Sequence, residues 1–104
     1  MIAAVVPTIR PEQLKLFRQA WKEQFATYNV EEIYVHDGET PYVEHKGVCY
    51  SVKQVMGEYS DLIYNKNDGV RNLGFAYAYK LGADIIVSLD DDTRPFGDTI
   101  GDHL

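Results

Sequence analysis

The sequence is poor in features that mark several common protein classes. Only one of its 104 residues is a cysteine, Cys49, so no disulfide forms within the chain and a cysteine-based zinc site is not expected. We therefore expect a reducing, cytoplasmic setting and a buried structural role for this thiol. No apolar run approaches the ~20 residues of a membrane-spanning helix, and the first residues lack the basic start of a secretory signal.

Positive charge is also scarce. Ten Lys and Arg residues stand against sixteen Asp and Glu residues, which gives a formal net charge of −6. This balance argues against nucleic-acid binding, because phosphate neutralisation needs clustered Lys and Arg. Hydrophobic residues make up 45% of the chain, which is enough for a packed core. The length suits one small domain over residues 1–104 and is short for an enzyme with two substrates.

Hydrophobic patterning in the first third predicts a strand, a helix and a second strand. The apolar run over residues 1–6 predicts a strand buried on both faces, as in a parallel sheet. Pro11 suits the first turn of a helix, which we expect to end near Thr27. Residues 32–36 predict the second strand. The helix has one apolar face with spacings of three and four, formed by Leu14, Phe17, Trp21 and Phe25.

Residues 39–60 allow two interpretations. They contain two short β-like runs around Lys46-Gly47, which is typical of a hairpin. Alternatively, a short helix begins at Ser51. We favour an irregular segment with a short helix in its second half.

The last third predicts a strand over residues 62–64, a helix over 69–81 and the clearest strand over 84–89. A strand is the competing interpretation for residues 75–79, but capping residues before the helix and Gly82 after it favour the helix. Strands that alternate with helices predict an α/β fold with a mostly parallel sheet of about four strands and flanking helices.

Polar side chains follow each predicted strand. Thr8 and Arg10 follow the first, Asp37 the second, residues 65–68 the third and residues 90–92 the fourth. Ligands of parallel α/β sheets bind beyond the carboxyl ends of the strands. This shared position is the strongest functional signal that the residues themselves provide.

The Asp90-Asp91-Asp92 triplet follows a strand that we expect to be buried. Adjacent carboxylates repel one another unless a cation lies among them, and Mg²⁺ or Mn²⁺ takes oxygen ligands. Extended geometry would direct Asp90 and Asp92 to one side and Asp91 to the other. A solvated acidic loop is the alternative.

Two further motifs fit an anionic or ring-containing ligand. The carboxylate of Asp37 could accept a hydrogen bond from a ligand ring N–H, although Asp37-Gly38 also fits an ordinary turn. Asn67 and Arg71 open the last helix, where amides favour anions and a guanidinium can bind phosphate. The alternative there is a capped helix with a surface arginine.

Taken in this order, the motifs resemble the nucleotide-sugar-binding half of a GT-A glycosyltransferase. The closest resemblance is to the reversibly glycosylated polypeptides, which include the UDP-arabinopyranose mutases, and family-two glycosyltransferases come a close second. The likeness extends over nearly the whole chain and is carried by Val6-Pro7-Thr8-Ile9-Arg10, His36-Asp37-Gly38, Asn65-Lys66-Asn67-Asp68, Arg71-Asn72-Leu73-Gly74-Phe75 and Leu89-Asp90-Asp91-Asp92.

The resemblance implies a Rossmann-like (GT-A) fold that binds a UDP-sugar with Mn²⁺ or Mg²⁺. It implies that Thr8 and Arg10 line the nucleotide pocket, that Asp37 contacts the uracil and that Arg71 approaches the diphosphate or the sugar. Asn67 and Asp91 join the nucleotide-sugar contacts. Asp90 would hold the ribose or sugar and help bind the metal, for which Asp92 is the main ligand.

The family's acceptor site and catalytic base lie after the metal motif, and here only twelve residues follow Asp92. We therefore expect an incomplete GT-A domain: a fragment, or a module that binds nucleotide-sugars without transferring them. An oligomer or a further C-terminal half would complete it. Other hypotheses are a Mg²⁺-dependent phosphohydrolase or phosphotransferase, which would place an aspartate where this chain has Pro7-Thr8, and a plain α/β interaction domain.

Overall fold

The computed structural model of the protein describes residues 1–9, 11–38, 40–57, 69–97 and 100–101. Their elements, in chain order, are β1 (Ile2–Thr8), α1 (Pro11–Thr27), β2 (Glu31–His36), β3 (Tyr42–His45), β4 (Val48–Ser51), α2 (Val52–Met56), α3 (Gly69–Lys80) and β5 (Ile85–Ser88). No helix in these ranges is long and apolar enough to cross a membrane.

In the described part of the chain, the strands form one five-stranded sheet in the order β4-β3-β2-β1-β5. β1 pairs in parallel with both β2 and β5. β3 pairs antiparallel with β2 and with β4. The predicted α/β class is confirmed, but the mostly parallel sheet of about four strands is corrected to a mixed sheet of five, because residues 42–51 add an antiparallel hairpin.

The central strand β1 is buried on both faces, as its continuous apolar run predicts. Ala3, Ala4, Val5 and Val6 are all fully buried. Successive side chains of a strand point to opposite faces. Ala4 and Val6 therefore join a core with α1, whereas Ala3 and Val5 join a second core with α3.

Helix α1 packs on the sheet with large aromatic side chains. It runs from Pro11 to Thr27, which are the predicted bounds. Its four predicted face residues are all buried, and the rings of Trp21 and Phe25 stack with their centroids 5.5 Å apart. The spacing of three and four residues places them in one stripe, so the helix buries one face and leaves the other in solvent.

Helix α3 packs on the opposite face at very close range. A Cβ atom on Gly74 would overlap Cγ1 of Val5 and lie 2.8 Å from Cγ2 of Val35. Leu73 and Ala78 on either side of this contact are fully buried. Glycine is therefore required at position 74 by the approach of helix backbone to strand side chains, rather than by backbone conformation.

Residues 42–56 contain both features that the sequence offered as alternatives. Lys46 and Gly47 have φ angles of 53° and 80° and form the two-residue turn between β3 and β4, where positive φ matches strand twist. Ser51 then caps α2 through a reciprocal pair of hydrogen bonds with Gln54. The irregular segment that we favoured is thus wrong in its first half and confirmed in its second.

Strand β5 lies at an edge of the described sheet, and the prediction that it is buried is wrong. Ile85 and Ile86 are 43% and 38% exposed. β1 is its neighbour on one side, and the described residues place no strand on the other. Cys49, on the opposite edge strand β4, is likewise exposed rather than buried. The predicted strand over 62–64 lies outside the described residues.

Candidate functional site

The carboxyl ends of the parallel strands surround a cavity of about 310 Å³. β1 contributes Pro7 and Thr8, followed by Ile9, while Asp37 follows β2 and Asp91 follows β5. The backbone N–H of Asp37 donates to the carbonyl of Thr8 at 2.9 Å, which extends the pairing of β1 and β2 to the cavity. Three of the side chains singled out in the sequence, Thr8, Asp37 and Asp91, therefore meet here.

A buried hydrogen bond joins the first strand to the aspartate triplet. The hydroxyl of Thr8 donates to Oδ2 of Asp91 at 3.0 Å, across a separation of 83 residues in the chain. Thr8 is 4% exposed and Asp91 is 7% exposed. A carboxylate removed from water needs such donors, so this contact fixes the direction in which Asp91 points.

The other two aspartates of the triplet face solvent. The backbone N–H of Thr93 donates to the carbonyl of Asp90 at 3.0 Å, which closes a turn over residues 90–93 that we call the aspartate turn. Asp90 and Asp92 are exposed on this turn, whereas Asp91 is buried. Asp91 is thus separated from Asp90 and Asp92, as the sequence predicts, although a turn and not a continued strand separates them.

Three side chains that the sequence did not single out for the site hold the aspartate turn. Gln13 of α1 donates to the carbonyl of Asp91 at 3.4 Å, and Trp21 of α1 donates to the carbonyl of Thr93 at 2.9 Å. Arg94 donates to the same two carbonyls at 3.1 Å each. Helical spacing identified Trp21 only as a core residue, because no sequence signal links it to Thr93.

Three of the predicted site residues cannot be placed relative to the cavity. Arg10 and Asn67 lie outside the described residues. Arg71 belongs to α3, but only the backbone of that position is described.

The cavity lies where the winding of the sheet changes direction. The chain leaves β1 through α1 on one face and reaches β2 on one side of β1. It reaches β5, on the other side of β1, from α3, which packs on the opposite face. Loops at the carboxyl ends of two such neighbouring strands run apart, and the crevice between them is the usual ligand position in open α/β sheets.

The oxygen donors at the aspartate turn suit a cation that brings ligands of its own. Among the described residues, no group of three or more His, Cys, Asp or Glu side chains is close enough to hold a metal ion. Mg²⁺ is commonly bound through one or two carboxylates together with substrate phosphates. Asp90 and Asp92 fit this arrangement with one or two carboxylates, since both are exposed and flank Asp91, which lines the cavity.

A second cavity, of about 370 Å³, lies between α1 and the hairpin, but its charged side chains already pair with one another. Glu44 accepts from Arg18 and contacts Nε2 of His36 at 3.1 Å. Burial alone would raise the pKa of Glu44, yet Arg18 and His36 outweigh it and hold that pKa below its usual value. Arg18 also lies 4.4 Å from the ring centroid of Tyr34. These groups stabilise the fold, whereas the strand-end cavity brings together Thr8, Asp37 and Asp91 and is therefore our candidate site.

No protein-family model, curated protein or solved structure matches the chain.

Proposed function

We propose that the chain binds a nucleotide-sugar of the UDP-sugar class, together with Mn²⁺ or Mg²⁺, in the cavity at the ends of β1, β2 and β5. In this proposal the chain is part of a GT-A glycosyltransferase or a UDP-sugar mutase and works in the cytoplasm. The single observation that carries it is the buried Thr8–Asp91 contact beside Asp37, in the crevice where ligands of open α/β sheets bind.

The order of polar residues around the cavity suits the parts of such a ligand. Asp37 is exposed at the β2 end, so its carboxylate is available to a ring N–H of the uracil. Asp90 and Asp92 follow β5 and would hold the divalent cation that accompanies the diphosphate. That cation would supply Lewis-acid stabilisation of the negative charge on the departing nucleoside diphosphate.

Asp91 has a different role from its two neighbours in this proposal. Its carboxylate accepts from Thr8 and is buried, so it sets the position of the aspartate turn against β1. The resemblance of the motifs assigns Asp91 to the nucleotide-sugar contacts, and its place in the cavity lining is compatible with that.

Calorimetric titration tests the proposal directly. UDP, UDP-glucose, UDP-arabinose and inorganic phosphate are titrated into the wild type with and without Mn²⁺, and then into Asp92→Asn. We expect UDP binding that depends on Mn²⁺ and that weakens at least about tenfold in Asp92→Asn, since even outer-shell changes at metal sites cause losses of that size.

Asp84→Asn is the matched control, because Asp84 precedes the same strand but lies at its amino end, where it pairs with the N-terminal ammonium of Met1. This variant should bind UDP as the wild type does. UDP binding that ignores both Mn²⁺ and Asp92→Asn would refute the metal site. Binding of phosphate without any preference for UDP would point instead to a phosphohydrolase or phosphotransferase.

A further inference from the structure

The aspartate turn (residues 90–93) is attached to the aromatic core beneath it. Trp21 is fully buried in α1, and its ring lies 5.9 Å from that of Phe17 and 5.5 Å from that of Phe25, measured between centroids. Its only polar atom, Nε1, donates to the carbonyl of Thr93 at 2.9 Å. A buried indole N–H needs an acceptor, so the ring and the turn constrain each other.

Apart from the Thr8–Asp91 bond to β1, the other contacts of the turn are weaker in geometry or more local. Gln13 reaches the carbonyl of Asp91 at 3.4 Å, the long end of the range for a hydrogen bond. Arg94 donates to the carbonyls of Asp91 and Thr93, but it is a neighbour in sequence and moves with the turn. Trp21 therefore ties the Thr93 end of the turn to α1, 72 residues away in the chain, while Thr8 ties Asp91 to β1.

We propose that Trp21 is a positioning residue, which fixes the aspartate turn through Thr93 and thereby holds the Asp91 carboxylate against Thr8 and the strand-end cavity. The turn spans only four residues, and its Thr93 N–H is bonded to the Asp90 carbonyl. An anchor at Thr93 therefore restrains the whole turn. The consequence for ligand binding rests on the proposed function, but the consequence for the turn does not.

The variant Trp21→Phe tests this role, because it keeps an aromatic ring in the core and removes the N–H. Phe25→Leu is the matched control: Phe25 belongs to the same helix and the same aromatic cluster, where its ring packs against those of Phe17 and Trp21. Phenylalanine carries no side-chain donor that could hold a carbonyl of the turn. Both variants shrink the core, so effects that the two share report lost packing in the aromatic cluster.

The first readout is the backbone amide NMR spectrum without ligand. We expect Trp21→Phe to move the resonances of Thr8 and of residues 90–93 and to speed amide exchange of Thr93, whereas Phe25→Leu leaves these signals close to their wild-type positions. Unchanged signals in Trp21→Phe would overturn the proposal, whether or not the wild type binds UDP.

The second readout is the affinity for UDP with Mn²⁺. We expect it to fall about tenfold in Trp21→Phe, the order expected for one lost hydrogen bond, and to fall much less in Phe25→Leu. Equal losses in the two variants would overturn the positioning role. A wild type that binds no UDP, combined with the NMR shifts above, would refute the proposed function and support the role of Trp21.

The wild type alone provides a third readout if Trp21→Phe does not fold. Trp21 is the single tryptophan of the chain, so its indole N–H gives one unambiguous NMR signal. We expect that proton to be strongly protected from exchange with solvent. Exchange as fast as that of free indole would contradict the contact and the proposal with it.

Discussion

The two faces of the sheet are packed in opposite ways, although both use alternate residues of the same strand β1. On one face, α1 presents large rings from Phe17, Trp21 and Phe25 to Ala4 and Val6. On the other, α3 approaches so closely that Gly74 has no room for a side chain. The first face is filled by large helix side chains, whereas on the second the backbone of α3 lies directly against valine side chains of the strands.

This difference in packing determines which kind of substitution destabilises each face most. Removing volume should damage the α1 face most, because rigid aromatic neighbours cannot collapse into a large cavity. Adding volume should damage the α3 face most, because Val5 and Val35 already occupy the space beside Gly74. The candidate site depends most directly on β1 and α1, since β1 carries Thr8 and α1 holds the aspartate turn.

The largest effect is expected from Phe17→Ala on the α1 face. Phe17 is fully buried and lies within 6.4 Å, between ring centroids, of Trp21, Phe25 and Tyr34. We expect the free energy of unfolding, measured by urea denaturation, to fall by about 3–5 kcal/mol. A fall below about 1 kcal/mol, the range of exposed sites, would show that this cluster is not a packed core.

Gly74→Ala should have the next largest effect and should act in the opposite sense, by overfilling the α3 face. We expect unfolding free energy to fall by about 1–3 kcal/mol, despite the better helix propensity of alanine. Gly38→Ala is the matched control, since a Cβ at Gly38 meets nothing within 4 Å. The double mutant with Val5→Ala should lose less stability than the sum of the two single losses, and a purely additive double mutant would contradict the steric explanation.

The smallest losses of stability are expected from removing one polar contact beside each face of the sheet. Beside α3, Nε2 of His45 contacts Glu31 at 2.8 Å and its Nδ1 contacts the hydroxyl of Tyr77 at 3.0 Å. Burial and the neighbouring hydroxyl of Tyr50 raise the pKa of Tyr77 to about 12. Contact with His45, and secondarily with Lys46, lowers the pKa of Glu31 from its usual 4.5.

A carboxyl whose pKa is lowered by folding stabilises the folded state above its unfolded pKa, and that contribution is lost as the pH falls through the folded value. Glu31→Gln should therefore cost about 1 kcal/mol at pH 7 and less at pH 3, because pH 3 lies below the unfolded pKa. Urea denaturation at both pH values measures this.

Glu44→Gln, in the pair with Arg18 beside α1, should follow the same direction with a smaller cost. The Arg18 side chain is 44% exposed, whereas that of His45 is 9% exposed, and solvent weakens the more open pair. A larger loss from Glu44→Gln than from Glu31→Gln would reverse this comparison.

Local patterns predicted the elements whose form depends on neighbours in sequence. The helical spacing from Leu14 to Phe25 identified α1 and its buried face, and Pro11 marked its first residue. The hairpin turn at Lys46-Gly47 was visible as an alternative, but choosing it required the pairing of β3 with β2, which residues 39–60 alone do not reveal.

The burial of β5 could not be predicted from its residues. An Ile-Ile-Val run has the composition of a strand covered on both faces, yet burial depends on which strands and helices lie beside it. In the described structure β5 has β1 as a neighbour on one side, so Ile85 and Ile86 remain exposed. The interpretation of the aspartate triplet as the end of a buried strand was therefore wrong about the strand, although Asp91 itself is buried.

By itself the sequence determined the α/β class, the amphipathic face of α1 and the position of polar residues at strand ends, because each depends on local periodicity and on chain direction. Only the tertiary structure decided that Asp91, rather than Asp90 or Asp92, turns toward Thr8, and that Trp21 holds the turn. These contacts join residues 83 and 72 positions apart in the chain. The Thr8–Asp91 bond forms only when the strand order brings β5 beside β1, and the Trp21–Thr93 bond forms only when α1 packs close to the aspartate turn.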